Sequence, residues 1–261
     1  MMQATIDLKT VPGYEVLAAA GKTVLRPGGR AATEQLLRWA NFQPGDTVLE
    51  LASGLGTSAI ALAKRYGVNV TGIEKSPERV AIAQARVESA GLSDRVQIIQ
   101  GDIFHLESIA KQFDYVLAEA ILTMQSATGK NAILQGVRDR LKPGGQFLSH
   151  ELLVLKREAQ LHRILSTVNR VNATPLTLAS WITAYAKAGL QVQEHQCGAM
   201  QLLHPLRVIQ DEGLGNALQI VWNVLTHPSI RQRVLAMRHV FQKYQQELNY
   251  VIFVLKRSNK L

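Results

Sequence analysis

From residue 44 onward the chain alternates short apolar runs with stretches whose apolar residues recur at intervals of three and four. The first run, TVLELA at 47–52, is flanked by Pro44-Gly45-Asp46 in front and by glycines behind, and it reads as a buried strand. The same criteria predict strands near 69–74 (NVTGIE), 95–100 (RVQIIQ), 113–118 (FDYVLA) and 145–153 (GQFLSHELL). Between them lie helical patterns at about 57–66, 77–90 and 127–140. Strands that alternate with helices in this way predict a parallel sheet covered on both faces.

Local signals place several boundaries. Ser76 is a plausible N-cap with Pro77 at the first helical position, and Val80, Ile82, Ala83, Val87 and Ala90 supply an apolar face before Gly91 stops the helix. Leu141-Lys142-Pro143-Gly144-Gly145 is expected to end the helix before the fifth strand and turn the chain. Beyond residue 156 the pattern predicts helices at 157–170 and 177–188, a strand at 190–196, a long helical stretch and a last strand at 249–256. Near the end of the helical stretch, Ile230, Val234, Met237, Phe241, Tyr244 and Leu248 form an apolar stripe. Arg231, Arg233, Arg238 and Lys243 fall off it, as in a surface helix packed on a core; a helix lying on a membrane surface is the weaker reading.

Composition narrows the class. With 261 residues, 47% of them hydrophobic, the chain can bury a large core without disulfides or structural metal. The formal charge of +9 favours anionic partners. The basic residues are scattered, however, and aromatic residues make up only 6%, which speaks against a nucleic-acid-binding surface. The single cysteine, Cys197, excludes a disulfide framework and a multi-cysteine zinc site, and its expected role is packing. No metal site is expected. The opening segment MMQATIDLKT has no apolar targeting region, and the apolar run Tyr250 to Leu255 is far short of the roughly 20 residues that span a bilayer. The expectation is a cytoplasmic protein with no membrane span, its oligomeric state left open, a homodimer included.

The chemistry concentrates in Glu50-Leu51-Ala52-Ser53-Gly54-Leu55-Gly56, an acid at the end of the first strand followed by small residues that open a helix. Small residues there let a ligand approach the backbone, and the helix start offers free N–H groups. Gly54-Leu55-Gly56-Thr57-Ser58-Ala59 also satisfies the G-x-G-x-x-A form of a dinucleotide fingerprint, with Glu74 ending the next strand where a ribose-binding acid belongs. Glu50 separates the alternatives: its carboxylate would repel a pyrophosphate over the turn and attract a ligand that carries an ammonium group.

Together with Asp102 in QGDIF, after the third strand, these features resemble the class I S-adenosylmethionine-dependent methyltransferases. VLELASGLG stands where that family has a hydrophobic strand, an acid and a glycine loop, GIEKS where it has a ribose-binding acid, QGDIF where it has an adenine-binding acid, and LKPGG before the fifth strand. The resemblance covers about residues 44–154. It implies that Glu50 and the loop of Ala52, Ser53, Gly54 and Gly56 hold the methionine end of S-adenosyl-L-methionine, released as S-adenosyl-L-homocysteine. Glu74, beside Lys75, would accept the ribose hydroxyls, and Asp102 with Ile103 would recognise the adenine. Ala52 departs from the glycine most common in the family, so a methyl group is expected to crowd the turn and to weaken the cofactor's hold or shift the loop.

The implied architecture is α/β: a doubly wound, mostly parallel seven-stranded sheet of the Rossmann-like methyltransferase fold. An N-terminal helical lid at 1–43 and a helical cap inserted at 199–248 between the last two strands frame a core at 44–198 and 249–261. The ends of the fourth and fifth strands nominate Glu119, also a cofactor contact, Leu122 to Met124, His150 and Glu151 for the acceptor side. His150 suits a general base, and Glu119 and Glu151 suit a cationic amine. Strand alternation turns only one of His150 and Glu151 towards the pocket. Arg26 and Arg30 in the leading segment are candidates for an anionic group, and Trp222, His204, His227, His239 and Tyr244 for cap contacts. AEAILT after the fourth strand lacks the motif used on nucleobase amines, which points to an oxygen or nitrogen of a small-molecule metabolite. The rivals are a nicotinamide-dependent Rossmann-fold oxidoreductase, disfavoured because no tyrosine has a lysine four residues on, and a non-catalytic S-adenosylmethionine-binding module.

Overall fold

The computed structural model describes residue 8 and residues 10–258, so most of the opening segment MMQATIDLKT, read above as carrying no targeting signal, lies outside the described residues. Seven strands form one sheet: β1 (Thr47–Leu51), β2 (Asn69–Glu74), β3 (Val96–Gln100), β4 (Phe113–Glu119), β5 (Leu141–Val154), β6 (Leu190–Ala199) and β7 (Leu248–Arg257). Their spatial order is β3-β2-β1-β4-β5-β7-β6. The pairs among β1 to β5 are parallel, and β7 is antiparallel to both its neighbours. The chain therefore winds outward from β1 in one direction and from β4 in the other. The gap between the ends of β1 and β4 is the topological switch point where open α/β sheets bind ligands.

Ten helices accompany the sheet among the described residues. Those before the sheet are α1 (Gly13–Ala19) and α2 (Gly29–Ala40). Between β1 and β5 come α3 (Thr57–Tyr66), α4 (Pro77–Ser89) and α5 (Ala127–Arg140). The helices α6 (Glu158–Asn169) and α7 (Leu178–Lys187) follow β5, and α8 (Pro205–Glu212), α9 (Leu214–Thr226) and α10 (Pro228–Lys243) stand between β6 and β7. Local chemistry starts several of them. The Ser76, Ser126 and Thr177 hydroxyls accept from the N–H groups of Arg79, Gly129 and Ser180, at 3.3, 3.1 and 3.2 Å.

Both sheet faces are dry. On one, Phe113, Leu134, Phe147, Trp181, Tyr185 and Phe253 pack together; on the other, Leu36, Val48, Leu62, Val70, Ile98 and Ile252 do so. A third cluster, Val16, Leu17, Ala20, Ile230, Val234 and Met237, joins α1 to α10 away from the sheet. Among the described residues no helix is long and apolar enough to cross a membrane.

Several expectations need correction. Cys197 is exposed on the edge strand β6, because that strand has a neighbour on one side only. The LKPGG segment does not turn away from the sheet: it is the start of β5, and the register jumps between Phe113 paired to Leu141 and Tyr115 paired to Gln146, an irregularity that absorbs the proline and glycines. Ile82 is exposed, since only Val80, Ala83 and Val87 of α4 reach the core. Arg233 is buried rather than solvated, its Nη1 donating to the Leu8 and Val11 carbonyls at 3.1 Å each.

Trp181 anchors the α7 face of the core: it is fully buried, stacked on Tyr185, and donates from Nε1 to the Leu152 carbonyl at 3.1 Å. Trp181→Ala is expected to remove about 3–5 kcal/mol of stability, seen as a lower urea midpoint with the slope unchanged.

Candidate active site

The loop after β1 is held open by the acid that ends β2. Glu74 Oε2 accepts the Gly54 N–H and Oε1 accepts the Ser76 N–H, both at 2.9 Å, and the Ser53 N–H reaches the Ile73 carbonyl at 3.0 Å. These bonds stretch the loop between two strand ends instead of letting it close over itself. Gly54 has φ +56°, and a Cβ built there would meet nothing within 4 Å, so the backbone faces a space that a ligand can enter. Ala52 also lies in the left-handed region, at φ 52°. Its methyl is exposed and does not crowd the turn as expected; the cost is backbone strain of about 1–2 kcal/mol.

Glu50 is 7% exposed, and its Oε2 has no hydrogen-bond partner among the described residues. Burial and then the neighbouring Glu119 carboxylate push its carboxyl up to about 8, against the pull of Arg26, the Ser58 hydroxyl and the Ala59 N–H. Glu119, one strand across, goes the opposite way. Burial raises it, but the charge of Arg26, the bond to His150 and the Thr33 hydroxyl outweigh that and hold it at about 2. Arg26 forms an ion pair with Glu119 Oε2, and Thr33 donates to Oε1 at 2.5 Å. Arg26 is thus not a free receptor for an anionic substrate; the Arg30 backbone N–H donates to Asp211 Oδ1 at 2.9 Å and its Nε to the Asp211 carbonyl.

Asp102 sits nearer the surface, 2.9 Å from Lys75 Nζ, with Oδ1 accepting the Phe104 N–H at 3.1 Å. Burial acts to raise its carboxyl, while Lys75 and the Phe104 N–H together hold it below the usual range. Ile103 packs on the core beside it. Glu50, Glu74 and Asp102 therefore end or follow three adjacent strands in sheet order, with the open loop between the first two.

The three residues nominated for acceptor chemistry are engaged elsewhere. His150 is fully buried; its Nε2 accepts the Gly28 N–H at 3.0 Å, which leaves the proton on Nδ1, facing Thr33 Oγ1 at 3.3 Å and Glu119 Oε1 at 3.4 Å. Burial lowers its affinity for a second proton. A Cβ at Gly28 would stand 2.8 Å from that Nε2, so only glycine lets the leading segment come this close. Glu151, on the opposite sheet face, is also fully buried, and it accepts from the Leu122 N–H, the Thr123 N–H and the Thr123 hydroxyl at 3.0, 2.8 and 2.6 Å. Burial still raises its carboxyl to about 7. The polar atoms of His150, Glu119 and Glu151, expected at the acceptor, here bind the N-terminal segment and the turn after β4. A sheet covered on both sides buries both faces of β5, so alternation does not send either residue to solvent.

Beside the ends of β4 and β5 an apolar cavity opens, lined among others by Leu17, Leu25, Met124, Leu152, Met200 and Phe241, with Tyr14, Thr123 and Asn169 as polar groups. Thr123 and Met124 were legible from the sequence; the others come from α1, the segment between α1 and α2, β5, α6, the segment after β6 and α10. Only their convergence in space distinguishes them from ordinary core residues. Of the expected cap contacts, Trp222, His204, His227 and His239 are exposed and Tyr244 is half-buried outside the cavity.

Residues 48–145 match the model of a family described as a methyltransferase domain. A protein of Haemophilus influenzae described as uncharacterized is 32% identical over 92% of this chain and 95% of its own length. Methyltransferase GfsG of Streptomyces halstedii is 31% identical over 50% of this chain, a match that spans 46% of that protein. Among solved structures, an S-adenosylmethionine-dependent methyltransferase from Thiobacillus denitrificans in complex with S-adenosyl-L-homocysteine superposes with a TM-score of 0.62, covering 86% of this chain and 91% of that one at 18% identity.

The raised Glu50 carboxyl has a measurable consequence. Between the ordinary value of 4.5 and about 8 the folded protein keeps a proton that the unfolded chain has released, so stability falls as pH rises through that window. Glu151 contributes in the same sense up to about 7, and Glu119 acts in the opposite sense, its contribution present above 4.5 and lost as pH falls towards about 2. Glu50→Gln, which imitates the protonated form, is expected to flatten the decline in urea midpoint between about pH 5 and about pH 8. Equal declines in the two proteins would show that Glu50 does not titrate there.

Proposed function

The chain belongs to the class I S-adenosylmethionine-dependent methyltransferase family, and from that premise we propose that it methylates an oxygen or nitrogen of a small molecule with an apolar body. The observation that carries the cofactor side is Glu50: a buried carboxyl oxygen without a partner among the described residues, beside a loop whose backbone is open at Gly54. An ammonium group is the complement of that oxygen, and would return the Glu50 carboxyl towards its ionised form. A dinucleotide pyrophosphate would bring no cation to that oxygen and would add negative charge beside a carboxyl that is already hard to ionise, which disfavours the nicotinamide reading.

The residues fit S-adenosylmethionine, which when bound supplies an electrophilic methyl group on a sulfonium. Glu50 would hold the amino acid end, and the loop would let it approach closely at Gly54, the N–H groups of Ser53, Gly54 and Gly56 being already bonded to Ile73, Glu74 and Ser53. Glu74 keeps further acceptor capacity on both oxygens after its bonds to Gly54 and Ser76, enough for a pair of ribose hydroxyls. Asp102 offers a carboxylate to the adenine amine, with Ile103 beside it.

On the acceptor side the lining of the cavity contains, among the described residues, neither carboxylate nor imidazole. The chain's contribution is then to orient the acceptor against the methyl group and to exclude water, which accounts for much of the acceleration when reacting atoms are held about 3–3.5 Å apart in line. Leu17, Leu25, Met200 and Phe241 favour an apolar body, and Tyr14, Thr123 and Asn169 can orient its polar end. This favours a metabolite over a peptide amide or a nucleobase.

Calorimetric titration tests the assignment. S-adenosylhomocysteine is expected to bind the native protein, with NADH giving no heat, and Glu74→Ala or Asp102→Ala to weaken binding by about 10–100-fold, the range for losing a hydrogen bond to a charged group. Undiminished affinity in both variants would remove the site assignment; a response to NADH alone would promote the oxidoreductase.

A further inference from the structure

The helix α9 is apolar on two sides. Its inner side holds the N-terminal segment: Ala217 is buried, Ile220 and Val224 pack on the Val16 and Leu17 cluster, and Asn216 and Asn223 donate to the Gly21 and Ala20 carbonyls at 3.1 Å each. The other side carries Leu214, Leu218, Val221, Trp222 and Leu225, spaced i, i+4, i+7, i+8 and i+11, which make one stripe. Each is exposed, from 53% to 66% of its surface. Helices that are apolar all round are normally covered, and a contiguous exposed stripe of this kind marks an interaction surface.

The charges around the stripe identify what covers it. The acidic residues of the segment between β6 and β7 are Asp211, Glu212 and Glu247, and all three are turned inward. Asp211 is 3% exposed against Arg30, the Glu212 carboxylate is closed over Lys22, Thr23 and Val24, and Glu247 is paired with Arg157. Of the cations in the same segment, Arg231 and Lys243 are exposed, Arg207 and Arg238 are half-buried, and Arg233 is turned inward. Arg231 bonds to the Leu225 carbonyl at 3.1 Å, which places it at the end of the stripe, and Arg231, Leu235 and Arg238 share one face of α10, with Leu235 half exposed. On α8, Leu206 is 65% exposed next to Arg207.

We propose that α9, with the exposed Arg231 at the end of its stripe, docks this protein on an anionic lipid surface. Apolar side chains with a tryptophan among them enter the boundary of headgroups and acyl chains, and Arg231 meets lipid phosphate. A second copy of the chain fits less well, because a symmetric contact through α9 would bring the exposed cations of both copies together. The same helix grips α1, which lines the apolar cavity through Tyr14 and Leu17, so the surface and the cavity share one wall. Binding to lipid needs neither cofactor nor turnover, and its failure would leave the methyl-transfer reading untouched.

Co-sedimentation of the full chain with vesicles tests this, using phosphatidylcholine alone and phosphatidylcholine with phosphatidylglycerol in equal parts. Binding to the anionic vesicles is expected, weakened by salt, and Leu218→Ser with Trp222→Ser is expected to reduce it by about tenfold or more. Both side chains are exposed, so the double variant should keep its melting temperature. In the unsubstituted protein, brominated phosphatidylglycerol should quench tryptophan fluorescence, a readout that depends on no variant. No binding to anionic vesicles, binding unchanged in the double variant, or a dimer in sedimentation that the double variant dissolves would each overturn the proposal.

Discussion

Two carboxylates at the ends of adjacent parallel strands set the terms for the rest of this structure. Glu119 lies close enough to Glu50 to disturb its ionisation; Glu50 is buried and the Glu119 side chain nearly so. A buried pair of this kind cannot carry two negative charges without a cation. Arg26 supplies the positive charge from the leading segment. By pairing with Glu119 it leaves Glu119 ionised and Glu50 hard to ionise, an asymmetry that comes from position alone.

The leading segment is consequently an integral part of the site. Arg26 is the first of a series of polar contacts: Gly28 to His150, Thr33 to Glu119, Arg30 to Asp211, and Lys22, Thr23 and Val24 to Glu212. Residues 22–33 are thus clasped between the strand ends on one side and α8 on the other. Side chains that would serve as acids or bases in an open cleft here hold backbone and side-chain donors of that segment. The arrangement leaves a binding face rich in backbone and carboxylate groups at β1 and β2, and an apolar chamber at β4 and β5. Such a division suits a reaction in which the donor is recognised by polar contacts and the acceptor is oriented by shape.

The strand and helix sequence was legible because burial imposes periodicity: TVLELA, NVTGIE and the helix from Pro77 fall where pattern and caps place them. The acids at the strand ends were legible because a carboxylate there is at odds with a dry sheet unless it meets something. The left-handed backbone at Ala52, the entry of LKPGG into β5 and the exposure of Cys197 were not legible. Each depends on which neighbour the chain finds, and periodicity carries no information about neighbours distant in sequence.

By itself the sequence determined the class of fold, the order of its elements and the acids that face the loop after β1, since these follow from local propensity, hydrophobic period and charge. Only the tertiary structure decided what those groups do. It placed Arg26 against Glu119, closed His150 and Glu151 inside the core, and gathered Tyr14, Leu17, Met200 and Phe241 from distant segments around one cavity. It also turned one side of α9 to the N-terminal segment and the other to solvent. The physical reason is the same in each case: ionisation, burial and exposure belong to a residue's surroundings, and those surroundings are assembled from parts of the chain far apart in sequence.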